Sequence, residues 1–399
     1  MTAGGSNAER SGECGLARLT QQMLLQGTKS KGALAIAREI DELGGTVTGR
    51  TASRGALLVG LVEHRQWEQA IELLTDLVNN PRFDADALEL EKRAMAAEAE
   101  HWRRPTAGRA RRMLLAAIWP ERHEYADGVG EIGRYTVADV RRFFERTYAA
   151  DQRVAGAVGA VDSEDLAKFA GNSSGSSART EARAIPCPEP AWHTVSLYEA
   201  AELGQSHVCL ALPAPMAGDA AFQALHEVLG GGVGSRLQAK LAGRQPVRQI
   251  RSAIQSDGAG KAWLIEASIT PGGEAEGVHA ILSELRAVGG SDPVRDEELW
   301  MAQESGAAWA RQVAANPLAE LERLLQARLT GEPPMDGKYD QTGLAQVRQA
   351  AKICIEPWLP QVSVACIGPA RGTSPVAQLH HIVDAHRQVI GRQSLNGSH

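Results

Sequence analysis

No stretch of this chain approaches the roughly 20 consecutive apolar residues that a membrane-spanning helix requires, and it carries no C-x-x-C pair and no excess of positive charge. Each absence removes a class of protein. The opening residues, MTAGGSNAERSGECG, have neither a basic n-region nor an apolar h-region, so the chain as written is expected in the cytoplasm, and in the periplasm or outside the cell only if the coding sequence begins further upstream. The five cysteines, Cys14, Cys187, Cys209, Cys354 and Cys366, are odd in number and scattered. They suggest free buried thiols instead of a disulfide framework or a zinc knuckle. With 42 Lys and Arg against 48 Asp and Glu, the net charge is −6, which argues against a nucleic-acid partner, because phosphate recognition needs clustered cations. The local run Arg103, Arg104, Arg109, Arg111 and Arg112 is read as a solvated helix face. No G-x-S-x-G elbow is present, and the glycine run from Gly230 to Gly234 lacks the Gly-Lys-Ser/Thr ending of a phosphate loop.

What is present is an ordinary large globular composition, 43% hydrophobic and 23% charged over 399 residues, enough for about two or three domains. Apolar residues at helical spacing predict helices over 15–25, 34–43, 67–78, 84–103 and 136–148, with a Thr- and Val-rich hairpin at 46–53 and 56–63. A strand is expected at 154–161 and, after the Asp162-Ser163 cap, a helix at 164–169. Residues 171–190 are rich in Gly, Ser and Pro and read as a linker. Beyond it, strands at 208–212 and 263–269 and helices at 220–229, 235–241, 274–288 and 295–313 loosely repeat the order of the first half. Trp300 and Trp309 are expected to anchor a core or an interface, and His380, His381 and His386 to form an exposed tail.

The segment Gly15 to Thr28, GLARLTQQMLLQGT, with Glu42-Leu43-Gly44-Gly45, Asn80-Pro81, Phe83-Asp84, the stretch from Gly130 to Val161, and Leu229-Gly230-Gly231-Gly232 followed by Ser235-Arg236-Leu237, resembles the pitrilysin, insulinase and mitochondrial processing peptidase family of inverted-motif zinc peptidases. The resemblance runs to about residue 330. It implies an α+β fold of two similar α/β-roll domains, each a mostly antiparallel sheet covered by helices. The expected boundaries are 1–170 for the first domain, 171–190 for the linker and 191–399 for the second. The family has roughly 40 residues ahead of its motif helix, so the first domain is expected to be short of its leading strand or strands. An edge would then stay open to a partner.

In the family's H-x-x-E-H motif two His bind zinc and Glu is the general base. The corresponding positions here are Arg18, Gln21 and Gln22. A guanidinium repels a dication, and an amide neither takes a proton from water nor competes with imidazole for zinc. Glu98 and Glu91, two turns apart on one helix face, match the family's third zinc ligand and its accessory glutamate. Arg18 is therefore expected to pair with Glu98 or Glu91. The family's substrate-holding Arg and Tyr correspond to Ala242 and Gln249, while Gly230, Gly231, Gly232, Ser235 and Arg236 match the loop and helix that meet substrate or partner. The resemblance thus implies a pseudoenzyme without catalytic residues or bound zinc. Such a chain would work as a hetero-oligomer with an intact-motif subunit, or as a homodimer, around an extended polypeptide. Two alternatives remain: an active zinc endopeptidase with Glu91, Glu98 and His101 as displaced ligands, and a free-standing peptide-binding scaffold.

Overall fold

In a computed structural model of the chain, the described residues are 1–120, 129–161, 164, 166, 190–192, 195–199, 203–215, 219–256, 261–330, 341–369 and 377–385. The chain divides into two compact units. One comprises 1–102, 122–187 and 312–334, and the other 103–121, 188–311 and 335–399. Helices are numbered in chain order: α1 (Leu16–Met23), α2 (Ala33–Glu42), α3 (Trp67–Asn79), α4 (Ala85–Trp102), α5 (Ala107–Ile118), α6 (Val137–Thr147), α7 (Ala220–His226), α8 (Arg236–Leu241), α9 (Glu274–Gly289), α10 (Asp296–Ala315), α11 (Pro317–Thr330) and α12 (Leu344–Trp358). The strands are β1 (Thr46–Thr51), β2 (Ala56–Leu61), β3 (Val195–Glu199), β4 (Ser206–Pro213), β5 (Val247–Ser256), β6 (Lys261–Ile269) and β7 (Ser363–Gly368).

In the first unit β1 and β2 form an antiparallel hairpin, with Thr46 opposite Leu61 and Thr51 opposite Ala56. The 3.6-residue spacing of Leu16, Leu19 and Met23 turns one side of α1 into a core shared with Leu88 and Met95 of α4 and Val140 and Phe143 of α6. Thr136 starts α6 with a full capping box to Asp139. The outer side of β2 is partly covered by the chain's own beginning: Thr2 bridges Ala56 on one side and Arg153 on the other. Beneath it, Leu57 and Val59 pack with Leu325 of α11.

The strand expected at 154–161 does not form. Arg153 makes one bridge, after which 155–160 run exposed and without strand pairing. The segment has little side-chain volume with which to hold a pleated surface. Gly156 lies close to Leu321 and Leu325, and Gly159 has φ of 138°, outside the strand region. The helix expected at 164–169, the linker at 171–190 and His386 lie outside the described residues, apart from the single helical positions 164 and 166 and residue 190.

The second unit is built on a five-stranded sheet in the order β3-β7-β4-β6-β5. Only the β3–β7 pair is parallel, and β4, β5, β6 and β7 are joined by antiparallel ladders. The apolar run of β6 and the all-buried β7 read as central strands, and helices α7, α9 and α12 supply Phe222, Leu282 and Ile355 to their core. Helix α5 packs on this sheet through buried Ala110, Leu114, Leu115 and Ile118. Its arginines are therefore not a freely solvated face: Arg111 donates to Gln255 at 2.6 Å and lies 3.9 Å from the buried Glu266. Cys14, Cys209, Cys354 and Cys366 are buried thiols outside any disulfide, while Cys187 lies outside the described residues.

Candidate functional site

Helix α1 begins at Gly15, whose φ of 83° places it in the left-handed region that favours glycine. The turn before it folds Glu9 back so that Oε1 accepts the Ala17 N–H at 2.8 Å, while Oε2 is buried without a hydrogen-bond partner. Burial pushes the Glu9 carboxyl up to about 8, against the pull of the Ala17 and Gly15 backbone N–H groups. Glu13 has the opposite outcome. Burial raises its carboxyl, but hydrogen bonds from Arg146 and the Arg10 backbone outweigh that and hold it below the ordinary value.

With its apolar side turned inward, α1 presents Arg18 to α4. Arg18 Nη2 donates to Glu98 Oε2 at 2.6 Å, the two side chains being 31% and 37% exposed. Of the two glutamates expected as partner, Glu98 is the one that forms the ion pair. Glu91 instead accepts the Gln26 amide at 2.6 Å. Burial raises the Glu91 carboxyl, opposed by the Gln26 bond and by the nearby charge of Arg18. Gln26 was not expected from the sequence, although Arg18, Gln22 and Gln26 are successive i, i+4 positions and could have been read as one row.

Gln21 is 1% exposed, and both atoms of its amide lack a hydrogen-bond partner. It lies directly on Gly49 of β1, where a Cβ would fall 1.3 Å from Gln21 Nε2. Only glycine leaves that amide room. Gln22 is half-buried and His101 is exposed near the end of α4. Among the described residues no three His, Cys, Asp or Glu side chains are gathered as a metal group. Gln26 holds Glu91 and Arg18 holds Glu98. The donor set of this site, a guanidinium and two amides beside the glutamates, does not fit zinc, which takes imidazole, thiolate or carboxylate.

In the second unit the Gly230–Gly232 segment continues α7 through a π-helical turn, Glu227–Gly231. Ser235 occupies the N-cap position of α8 without a side-chain cap hydrogen bond and is buried. Arg236, with its side chain 1% exposed, faces inward: Nε donates to Glu298 at 2.7 Å, and Nη1 and Nη2 reach the carbonyls of Asp292 and Pro293. Burial raises Glu298, but the bonds from Arg236 and the Arg295 backbone hold it below its ordinary value. Ala242 closes α8 and Gln249 is exposed on the outer strand β5. Trp300 and Trp309 are 64% and 51% exposed, so they are not core residues. His380 and His381 are exposed on a helix over 377–385.

Two family models match in succession along the chain: "Insulinase (Peptidase family M16)" over residues 2–126 and "Peptidase M16 inactive domain" over residues 134–305. The chain belongs to peptidase family M16. Among M16 relatives it is similar to an uncharacterized zinc protease of Mycobacterium leprae, 25% identical over 313 residues, covering 75% of this chain and 70% of that protein. It is also similar to the mitochondrial-processing peptidase subunit beta of Blastocladiella emersonii, 25% identical over 42% of this chain and 36% of that subunit. Two solved structures share the M16 fold. They are a peptidase M16 inactive domain from Pseudomonas fluorescens (TM-score 0.79, 20% identity, 94% of this chain and 92% of that one) and a protease from Helicobacter pylori (TM-score 0.81, 17% identity, 92% of each). The expected α+β architecture of two similar domains is that of the family. No helix among the described residues is long and apolar enough to cross a membrane.

Proposed function

We propose that this M16 chain is a non-catalytic subunit, which holds no zinc and shapes a chamber for an extended polypeptide together with a partner carrying an intact H-x-x-E-H motif. The observation that carries this reading is the Arg18–Glu98 ion pair. It places a fixed positive charge on the carboxylate that matches the family's third zinc ligand, with a proton-inert amide, Gln21, on the same helix. A subunit role is supported by analogy with the Blastocladiella emersonii relative, which is by name a subunit of a peptidase. In this reading residues 1–170 and 191–399 are the two peptidase-like domains and 171–190 joins them.

The test is metal analysis of the purified chain together with a peptide-cleavage assay. The expected result is no zinc above background and no chelator-sensitive cleavage. Near-stoichiometric zinc with cleavage that a chelator abolishes would sink the proposal. The partner half is tested separately by mixing the chain with an intact-motif M16 subunit and by affinity co-purification. A rise in that subunit's peptidase activity is expected, and failure of both mixing and co-purification rejects the heteromeric reading.

A further inference from the structure

The π turn at Glu227–Gly231 ends the helical run begun by α7, and such widenings recur at functional positions. Here it lets the backbone fold tightly around two side chains. A Cβ on Gly231 would lie 1.9 Å from Glu227 Oε2, and one on Gly230 would lie 2.7 Å from Ser252 Cβ. Close approach to Ser252 demands glycine at 230, and the open space at Gly231 is where the Glu227 carboxylate lies. Beside it is a recess of about 30 Å³ walled by Glu227, Gly232, Ser235, Glu298, Met301 and Ser305, room for a group the size of one or two waters.

The chemistry of these walls is uneven. Glu298 is already neutralised by the buried Arg236, whereas the only cation-forming neighbour of Glu227 among the described residues is His226 Nδ1 at 3.6 Å. Ser235 is 6% exposed, and its buried hydroxyl has no hydrogen-bond partner. A partly exposed carboxylate at the edge of one small space suits a donor-rich cation. A metal ion is disfavoured because no group of three His, Cys, Asp or Glu is gathered among the described residues. An anion is opposed by Glu227, and a planar guanidinium is larger than the recess. The surroundings add apolar surface. Val233 is 94% exposed and Met301 41%, and Trp309, 51% exposed, lies two turns beyond Met301 on the same stripe of α10 as Ser305.

We propose that this recess receives the ammonium of a lysine side chain from an extended peptide, with Glu227 meeting the charge and Val233 and Met301 flanking the aliphatic stem. The proposal rests on the peptide-binding reading above and names the side chain that one part of the second unit selects.

The test uses the full chain and fluorescein-labelled, N-acetylated ten-residue peptides of alanine and serine whose central residue is lysine, norleucine, Nε-acetyl-lysine or arginine, titrated by fluorescence anisotropy. The lysine peptide is expected to bind about tenfold tighter than the other three, the scale of one charge-assisted hydrogen-bonded contact. Glu227→Gln is expected to remove that preference while leaving the norleucine peptide's affinity and the circular dichroism unchanged. Should that variant fail to fold, the comparison of the four peptides on the unaltered chain still decides the matter. Equal binding of all four peptides overturns the lysine recess and leaves peptide binding standing. Arginine bound as tightly as lysine overturns it too, as does a lysine preference that survives in folded Glu227→Gln. Absence of binding by any peptide overturns both the recess and the peptide-binding reading.

Discussion

Arg18 and Glu98 form a half-exposed ion pair at 2.6 Å, so their mutual contribution is that of a partly screened contact. A double-mutant cycle of Arg18→Met with Glu98→Gln, followed by urea denaturation, is expected to give a coupling of about 0.5–1 kcal/mol. A coupling indistinguishable from zero would make the pair incidental. Gln21 has the opposite character. Its amide is buried at 1% exposure with neither polar atom satisfied, so Gln21→Leu, which removes both atoms at similar volume, is expected to stabilise the chain by about 1 kcal/mol. A lower urea midpoint would mean that the amide has a partner in solution. Both are effects on stability, the behaviour expected if, as proposed, these residues hold a fold together instead of carrying out a reaction.

Among the elements, α1 depends on two neighbours that its own sequence does not reveal. The first is β1, whose Gly49 leaves space for the Gln21 amide. Gly49→Ala is expected to destabilise by about 2 kcal/mol through overpacking, and Gln21→Ala in the same chain to restore most of the loss, a rescue that thermal melts would read directly. The second is Glu9, whose carboxyl caps the helix from a buried position and is pushed up from 4.5 to about 8. A carboxyl whose folded value is raised binds its proton more tightly in the folded chain than in the unfolded one. Its contribution is complete below pH 4.5 and is lost as pH rises through about 8. Glu9→Gln should accordingly flatten the fall in urea midpoint between these two values, and an unchanged pH profile would show that water reaches the carboxylate.

For the whole molecule, the proposed loss of zinc is a matter of three side chains on a retained scaffold. In the proposed reading, Arg18→His, Gln21→Glu and Gln22→His, with Glu98 in place, rebuild the family's ligand set and base. The triple variant is expected to bind about one zinc per chain by metal analysis, while the parent binds none. If the triple variant stays free of zinc, then α1 and α4 no longer hold ligand geometry, and the degeneration extends beyond the three positions.

Much of this was legible in residues alone, wherever the information is local. Helical spacing located α1 to α4 and α6, and β-branched alternation located the β1–β2 hairpin. Tertiary structure decided what depends on neighbours distant in sequence. It chose Glu98 over Glu91 as the partner of Arg18, gave Glu91 to Gln26, and laid Gln21 against Gly49. It left Gly156 and its neighbours out of the sheet, and it turned the arginine-rich α5 into a core helix of the second unit. Hydrophobic periodicity states that a face will be buried, and only the packed chain determines against what.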